Sequence, residues 1–175
     1  MADIIEKTEG EIINRVANSG LITLNLEEFC DMTEIRSFDI KDCLFMGLML
    51  KEKDFREFVK NHDWESYQNQ AVAVFCSADA IVPTWAYMLL ASRLEPYTRE
   101  VFFGSPEELK IQRYMRNLQQ VQWEKFADQS VVIKGCGEKE VPVRAYVEAT
   151  ARLRPLAKKI MYGEPCSTVP IYKKA

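Results

Sequence analysis

Two stretches of this 175-residue chain decide its fold: AVAVFCSADAIVPTWAYMLLASRLEPYTREVFF (71–103) and SVVIKGCGEKEVPVRAYVEATARLRPLAKKIMY (130–162). They coincide when the chain is shifted by 59 residues, and the aligned segment 64–106 then shows thirteen identical pairs in 43 positions. The identical pairs include a tryptophan, an arginine and three prolines, which unrelated segments have no reason to keep in step. We therefore predict an internal repeat, because similarity at a fixed offset is the sequence sign of repeated structural units.

Each copy has the pattern of a strand, a helix and a second strand. Short β-branched runs are typical of buried parallel strands. In each copy a proline precedes the predicted helix, at a position where the N–H group that proline lacks is not needed for a helical hydrogen bond. The predicted segments are strands over 71–75 and 130–133, helices over 84–95 and 143–154, and strands over 100–103 and 159–162. Such a segment of about 35 residues matches the right-handed βαβ unit.

The predicted fold class is α/β, with a mostly parallel central sheet built from the duplicated βαβ unit and helices packed on that sheet. The length favours a single domain over residues 1–175. Its predicted parts are an N-terminal helical and strand extension (1–63), the first copy (64–106), a linking helix (107–122), the second copy (123–166) and a tail (167–175). Within the extension we expect an amphipathic helix over 3–18, strands over 21–24 and 35–40, and a helix in the later part of 44–59.

Composition excludes several classes of protein. Apolar residues make up 47% and charged residues 28%, both ordinary for a soluble globular protein. The net charge of −3 lacks the basic excess of nucleic-acid binders, so no nucleic-acid partner is expected. The apolar run Cys43–Leu50 is too short to span a membrane, so no membrane partner is expected either. Five cysteines and no secretory signal predict a cytoplasmic protein with reduced thiols.

A candidate site follows from the predicted sheet. If the first strands of the two copies are neighbours, the strand order reverses between them, and open α/β sheets bind ligands at such a point, beyond the carboxyl ends of the strands. The candidate residues there are Cys76, Ser77 and Asp79 after the first strand, Cys136 and Glu138 after its equivalent, and Cys166 after the last strand.

Four interpretations of this edge stay open. Cys76, Cys136 and Cys166 could hold zinc or another thiophilic metal, although the chain has no CxxC. Cys136 could be a reactive thiol, since a lysine and a helix N-terminus lie nearby. Loop N–H groups could bind a small anion or a nucleotide, although no glycine-rich phosphate motif is present. Free cysteines are also common as small buried residues at strand ends.

Asp79 and Glu138 have two candidate roles. The 59-residue shift places one on the other, so both copies keep a carboxylate ahead of the helix. With Ser77, these carboxylates could bind a ligand, or they could cap the helices that follow them. The only histidine, His62, lies away from this edge and is predicted to be a surface or capping residue.

Four strings carry a family resemblance: FDIKDCLFMGLMLKEKDFREFVKNHDW (38–64), CSADAIVPTWAYMLLASRLEPY (76–97), VVIKGC (131–136) and YGEPCSTVPIYKK (162–174). They resemble a bacterial family catalogued as a domain of unknown function, number 2480. The resemblance implies a stand-alone cytosolic protein and supplies no activity, substrate or catalytic residue.

Two classes of function fit the sequence. The first is a protein that binds a metal or a small anionic ligand at the strand-end edge, with enzymatic activity left open. The second is a non-catalytic interaction or scaffold protein whose cysteines are structural. The sequence indicates neither a substrate nor an oligomeric state.

Overall fold

A computed structural model describes residues 21–174 of the chain. The predicted helix over 3–18 lies outside the described residues. The strands are β1 (Leu21–Asn25), β2 (Ile35–Asp39), β3 (Ala71–Phe75), β4 (Glu100–Phe103), β5 (Ser130–Lys134), β6 (Lys159–Glu164) and β7 (Ser167–Lys173). The α-helices are α1 (Glu52–Asn61), α2 (Thr84–Leu94), α3 (Pro106–Leu118) and α4 (Val143–Leu153). No helix among residues 21–174 combines the length and the apolar character needed to cross a membrane.

The described residues form two compact units. Residues 29–120 form one, which we call the inserted unit, and residues 21–28 with 121–174 form the other, which we call the split unit. The inserted unit contains the parallel sheet β2-β3-β4. The split unit contains the sheet β1-β5-β6-β7, in which only the β6–β7 pair is antiparallel. The predicted α/β class with mostly parallel strands is therefore confirmed.

The predicted pairing of the two first strands is wrong. β3 and β5 lie in different sheets, so no strand order reverses between them. Each pairs instead with a strand from the N-terminal part of the chain, β3 with β2 and β5 with β1. The local sequence defines each strand, but the partner depends on contacts distant in sequence, which a repeat does not reveal.

The bounds of equivalent elements agree with the 59-residue shift. β3 and β5 differ by 59 residues at both ends, as do α2 and α4. The aromatic pair Tyr87–Phe103 has its counterpart in Tyr146–Tyr162, and both pairs are edge-to-face. A common origin of the two copies stays a prediction, and so does the behaviour of the whole chain as one domain.

Alternation along β3 builds the core of the inserted unit on both faces of its sheet. Val72 and Val74 are buried in the cluster that contains residues of α1 and α2. Ala71 and Ala73 are buried against Leu109 of α3 on the other face. Their small side chains suit a close helix, while full burial of each valine contributes about 1.5–3 kcal/mol. The strand is thus held from both sides, with its carboxyl end at the candidate edge.

The C-terminal segment differs from the prediction. Residues 167–175 were expected to be a tail, but Ser167–Lys173 forms β7 at the edge of its sheet, antiparallel to β6. Pro170 lies within this strand, and proline is tolerated in a sheet mainly at an edge. Because the proline interrupts a β-rich pattern, the sequence alone suggested the end of regular structure.

Candidate functional site

The carboxyl edge of the inserted unit is organised around Asp39, the last residue of β2. Its Oδ1 accepts hydrogen bonds from the backbone N–H groups of Lys41 and Ser77, both at 3.0 Å. Its Oδ2 accepts the Ser77 hydroxyl at 2.6 Å and lies 3.4 Å from the ammonium of Lys41. The loop N–H that an external anion would use is therefore already bonded to a carboxylate of the chain.

These hydrogen bonds hold Asp39 in its charged form. Partial burial works to raise the pKa of the carboxyl group, but the bonds from Ser77 and Lys41 outweigh it and leave the pKa below its usual value. Hydrogen bonds to the ionised form favour that form. Asp39 thus acts as a fixed acceptor that joins the end of β2 to the loop after β3.

The split unit repeats this arrangement with a different residue. Glu27, just after β1, accepts a hydrogen bond from the N–H of Gly137 at 2.6 Å, in the loop after β5. A Cβ at Gly137 would collide with this carboxylate, so a larger residue there would require the end of the Glu27 side chain to shift. Beside it, Lys134 and Glu164 form an ion pair at 3.0 Å across β5 and β6. In the inserted unit the carboxylate of Asp39, at the end of β2, thus binds the loop after β3. In the split unit the carboxylate of Glu27, just after β1, binds the loop after β5.

The sequence reasoning missed Asp39 and Glu27. The rule that ligands bind beyond the carboxyl ends of parallel strands was applied only to the strands at 71–75 and 130–134. It would also have indicated Asp39, which ends β2 beside β3, and Glu27, which follows β1 beside β5. They were overlooked because the strands 21–24 and 35–40 were treated as part of an extension.

The predicted site residues fall into both units. Cys76, Ser77 and Asp79 lie in the inserted unit, whereas Cys136, Glu138 and Cys166 lie in the split unit. All are exposed except Cys76, which is half-buried and whose thiol lies 3.5 Å from the carbonyl oxygen of Ala78. Within residues 21–174 no group of three or more His, Cys, Asp or Glu side chains is arranged to hold a metal ion.

The helices after these loops begin without a side-chain cap. Pro83 and Pro142 are the N-cap residues of α2 and α4, and neither side chain accepts a hydrogen bond. In the described part of the chain, no hydrogen bond joins Asp79 or Glu138 to those helix starts. The capping role considered for these two acids therefore has no counterpart in the structure.

A different feature of the inserted unit is an exposed apolar surface, which we call the apolar loop surface. The segment 44–50, which precedes the helix predicted in the later part of 44–59, forms a tight turn before α1 begins at Glu52. Met46 is 78% exposed and Ile81 is 81% exposed. The surface comprises the large hydrophobic and exposed side chains of Phe45, Met46, Leu48, Met49 and Ile81.

Backbone hydrogen bonds fix the turn that carries these side chains. The N–H of Phe45 donates to Met49 O at 2.7 Å, and the N–H of Leu48 donates to Phe45 O at 3.1 Å. Ile81 joins the turn through its N–H to Leu48 O at 3.3 Å, beside a bridge between Met49 and Ile81. Side chains from two distant segments are thus held next to one another.

The turn requires left-handed backbone at its tip. Gly47 has φ +72° and Met46 has φ +51°. Glycine adopts this region freely, but a long side chain such as that of methionine rarely does. Backbone strain of this kind concentrates at functional sites. Met46 therefore combines an unfavourable backbone with an exposed apolar side chain.

A recess adjoins the apolar loop surface. It has a volume of about 250 Å³, and Phe45, Phe55 and Phe58 contribute to its wall. Lys51 places its ammonium 3.1 Å from the centre of the Phe45 ring. Asp42 and Asp54 also line the recess, so both signs of charge border it. The apolar run Cys43–Leu50 was the sequence signal for this surface, but it was weighed only against the length of a membrane span.

Comparison with known proteins places the chain in a family. The sequence model described as "Protein of unknown function (DUF2480)" matches residues 10–174. No curated protein and no solved structure matches the chain. Because the match covers nearly the whole sequence, including both units and the apolar loop surface, the chain belongs to the DUF2480 family of proteins of unknown function.

Proposed function

We propose that this chain is an interaction protein that binds another protein chain through the apolar loop surface. The observation that carries the proposal is the clustering of five large exposed apolar side chains on a turn fixed by hydrogen bonds. Single exposed apolar residues are normal on a folded protein, but a contiguous group marks a surface that another molecule covers.

The area of the surface is consistent with this use. Taking roughly 200 Å² for a large side chain, the five residues expose about 600 Å². The largest apolar patch of a typical monomer covers ~300–600 Å² and is often functional. Burial of this area by a partner removes apolar surface from water, which is favourable by about 25 cal/mol per Å² before the costs of association.

The residue types also favour binding. Two of the five residues are methionines, whose unbranched and polarisable side chains adapt to a partner's shape. The backbone beneath them is held by the Phe45–Met49 hydrogen bond and by the Met49–Ile81 bridge. A backbone that is already fixed reduces the ordering that binding requires.

Binding of a metal or a small anionic ligand at the strand-end edge is the other hypothesis for this chain. An anion at the loops would have to displace Asp39 from Ser77 or Glu27 from Gly137. Each such hydrogen bond to a charged group is worth about 1.5–3 kcal/mol. Of the candidate thiol ligands for a thiophilic metal, Cys76 belongs to the inserted unit, and Cys136 and Cys166 belong to the split unit. Metal analysis of the wild type and of Cys136→Ser tests that hypothesis directly.

Site-specific photo-crosslinking tests the interaction proposal. A photo-reactive amino acid at position 81 is irradiated in living cells that produce the full chain, and the crosslinked partner is identified by mass spectrometry. We expect a discrete crosslinked species whose yield falls several-fold with Met46→Asn, since asparagine tolerates left-handed backbone but removes the apolar side chain.

Met32→Asn is the matched control for this experiment. Met32 is 76% exposed, close to the exposure of Met46, but lies outside the apolar loop surface. The crosslink yield should be unchanged by this substitution. No discrete crosslink at position 81, or equal yields with Met46→Asn and Met32→Asn, would show that the surface does not bind a protein.

A further inference from the structure

We infer that the partner of the apolar loop surface is a second copy of this chain, bound across a two-fold axis. The inference rests on the proposed function and names its partner. In a two-fold interface the same patch faces itself, so it must offer complementary features side by side. The inserted unit carries such a pair, the projecting Met46 and the recess bordered by Phe45.

The projecting residue and the recess are adjacent on one surface. Met46 lies at the tip of the turn with most of its side chain exposed, and Phe45 forms both part of the turn and part of the recess wall. A two-fold axis near Phe45 lets each copy place its Met46 in the recess of the other. The recess volume of about 250 Å³ exceeds that of several water molecules, at ~30 Å³ each.

The charges around the surface permit self-association. A patch bordered by one sign of charge repels its own copy, whereas complementary charges favour association. Lys51 provides a positive charge at the recess, and Asp42 and Asp54 provide negative charges there. All three are exposed. Two copies related by a two-fold axis can therefore meet without uniform like-charge repulsion.

The exposed area fits a dimer of moderate affinity. The five side chains expose about 600 Å², taking roughly 200 Å² for each large side chain. A standard protein interface buries about 800 Å² on each partner. The apolar loop surface supplies most of that area, and the charged groups around the recess can supply the polar rim found in such interfaces.

Analytical ultracentrifugation of the purified full chain tests the inference. Wild type and Met32→Asn should show the same monomer–dimer equilibrium over the micromolar range. Met46→Asn should raise the dimer dissociation constant at least tenfold, and Leu48→Asn should do so independently. All three substituted positions are exposed, so we expect the variants to remain folded. Urea unfolding of each variant checks this.

The outcomes separate this inference from the proposed function. A monomeric wild type, or a Met46→Asn variant that dimerises as wild type does, overturns the inference. If the wild type is monomeric while position 81 still crosslinks to a protein of different sequence, the interaction function stands and the partner is another protein. If the wild type is monomeric and no crosslink forms, both proposals fail.

Discussion

At the scale of single residues, His62 shows how burial changes the chemistry of one side chain. It is the C-cap residue of α1, one of the two roles that the sequence predicted. Its ring lies among the aromatic rings of Phe58 and Trp64, with centroids 4.9 and 4.5 Å away. Burial lowers the pKa of His62, Asp63 opposes this shift and Arg36 adds to it. The neutral imidazole is therefore the form that the folded chain prefers.

We predict that the free energy of unfolding decreases as the pH falls below about 6.5, the ordinary pKa of histidine. In that range the unfolded chain binds a proton that the folded chain resists until its lower pKa is reached, so acid favours unfolding. Urea unfolding at pH 7.5 and pH 5 measures the loss. A matched His62→Gln variant should show a smaller difference between the two pH values.

Other titrating groups act in a separate range. Asp31, Asp39 and Glu100 have pKa values below their usual ones, so their stabilisation is lost only at a pH near or below about 4. An equal pH dependence in wild type and His62→Gln between pH 7.5 and pH 5 would contradict the role given to His62.

At the scale of elements, two arginines of α3 bind one carboxylate of β4. Arg113 Nε donates to Glu100 at 2.8 Å, and Arg116 donates to the other oxygen of Glu100 at 2.7 Å. The Arg113 side chain is 6% exposed and also reaches Thr33 O and Asp31, whereas the Arg116 side chain is 54% exposed. The pair anchors α3 to the sheet and to the segment before β2.

We predict unequal costs for the same substitution at the two positions. Arg113→Gln should lower the free energy of unfolding by about 2 kcal/mol or more, because Glu100, Asp31 and the carbonyl oxygen of Thr33 all lose the buried guanidinium that they share. Arg116→Gln should cost less than ~1 kcal/mol, as exposed ion pairs do. Urea unfolding of both variants provides the measurement, and equal losses would show that burial does not distinguish the two arginines.

Local sequence patterns predicted most element positions. The β-branched runs marked β3 and β5, and the linking helix predicted over 107–122 corresponds to α3, whose start has a capping box between Ser105 and Glu108. These features depend on neighbouring residues, so they can be read from a short window. The start of α1 was left open within 44–59, because Gly47 and a mixed period obscured it, and the structure has a left-handed turn at Met46 and Gly47 before the helix begins at Glu52.

The candidate site was less accessible from the sequence. Ser77 was identified as a residue at the end of β3, but its partner Asp39 lies 38 residues earlier. The apolar loop surface joins Met49 to Ile81, which are also distant in the chain. Such pairs form through strand register and backbone bridges, so a single sequence without its fold does not show them.

At the scale of the whole molecule, the organisation of the chain has two descriptions. The sequence predicts a single domain over residues 1–175, and the structure divides the described residues into two compact units. The inserted unit is continuous in sequence, and its two ends are joined by a hydrogen bond from Asn117 Nδ2 to Phe29 O at 3.1 Å. Its buried cluster includes Phe55, Val72 and Leu90 from three different elements. Close ends and a separate core are properties of a segment able to fold alone.

We predict that a fragment of residues 29–120 folds without the rest of the chain. It should unfold in urea in one cooperative transition and keep slow amide exchange at Val72 and Val74, which are buried in its core. The fragment 121–174 is the comparison: it lacks β1, so the β5 edge that β1 covers is left unpaired, and it should be far less ordered. A disordered 29–120 fragment, seen as collapsed amide dispersion in its NMR spectrum, would mean that the core of the inserted unit needs residues from outside it. The single domain expected from the sequence would then describe the folding of this protein better than the two units do.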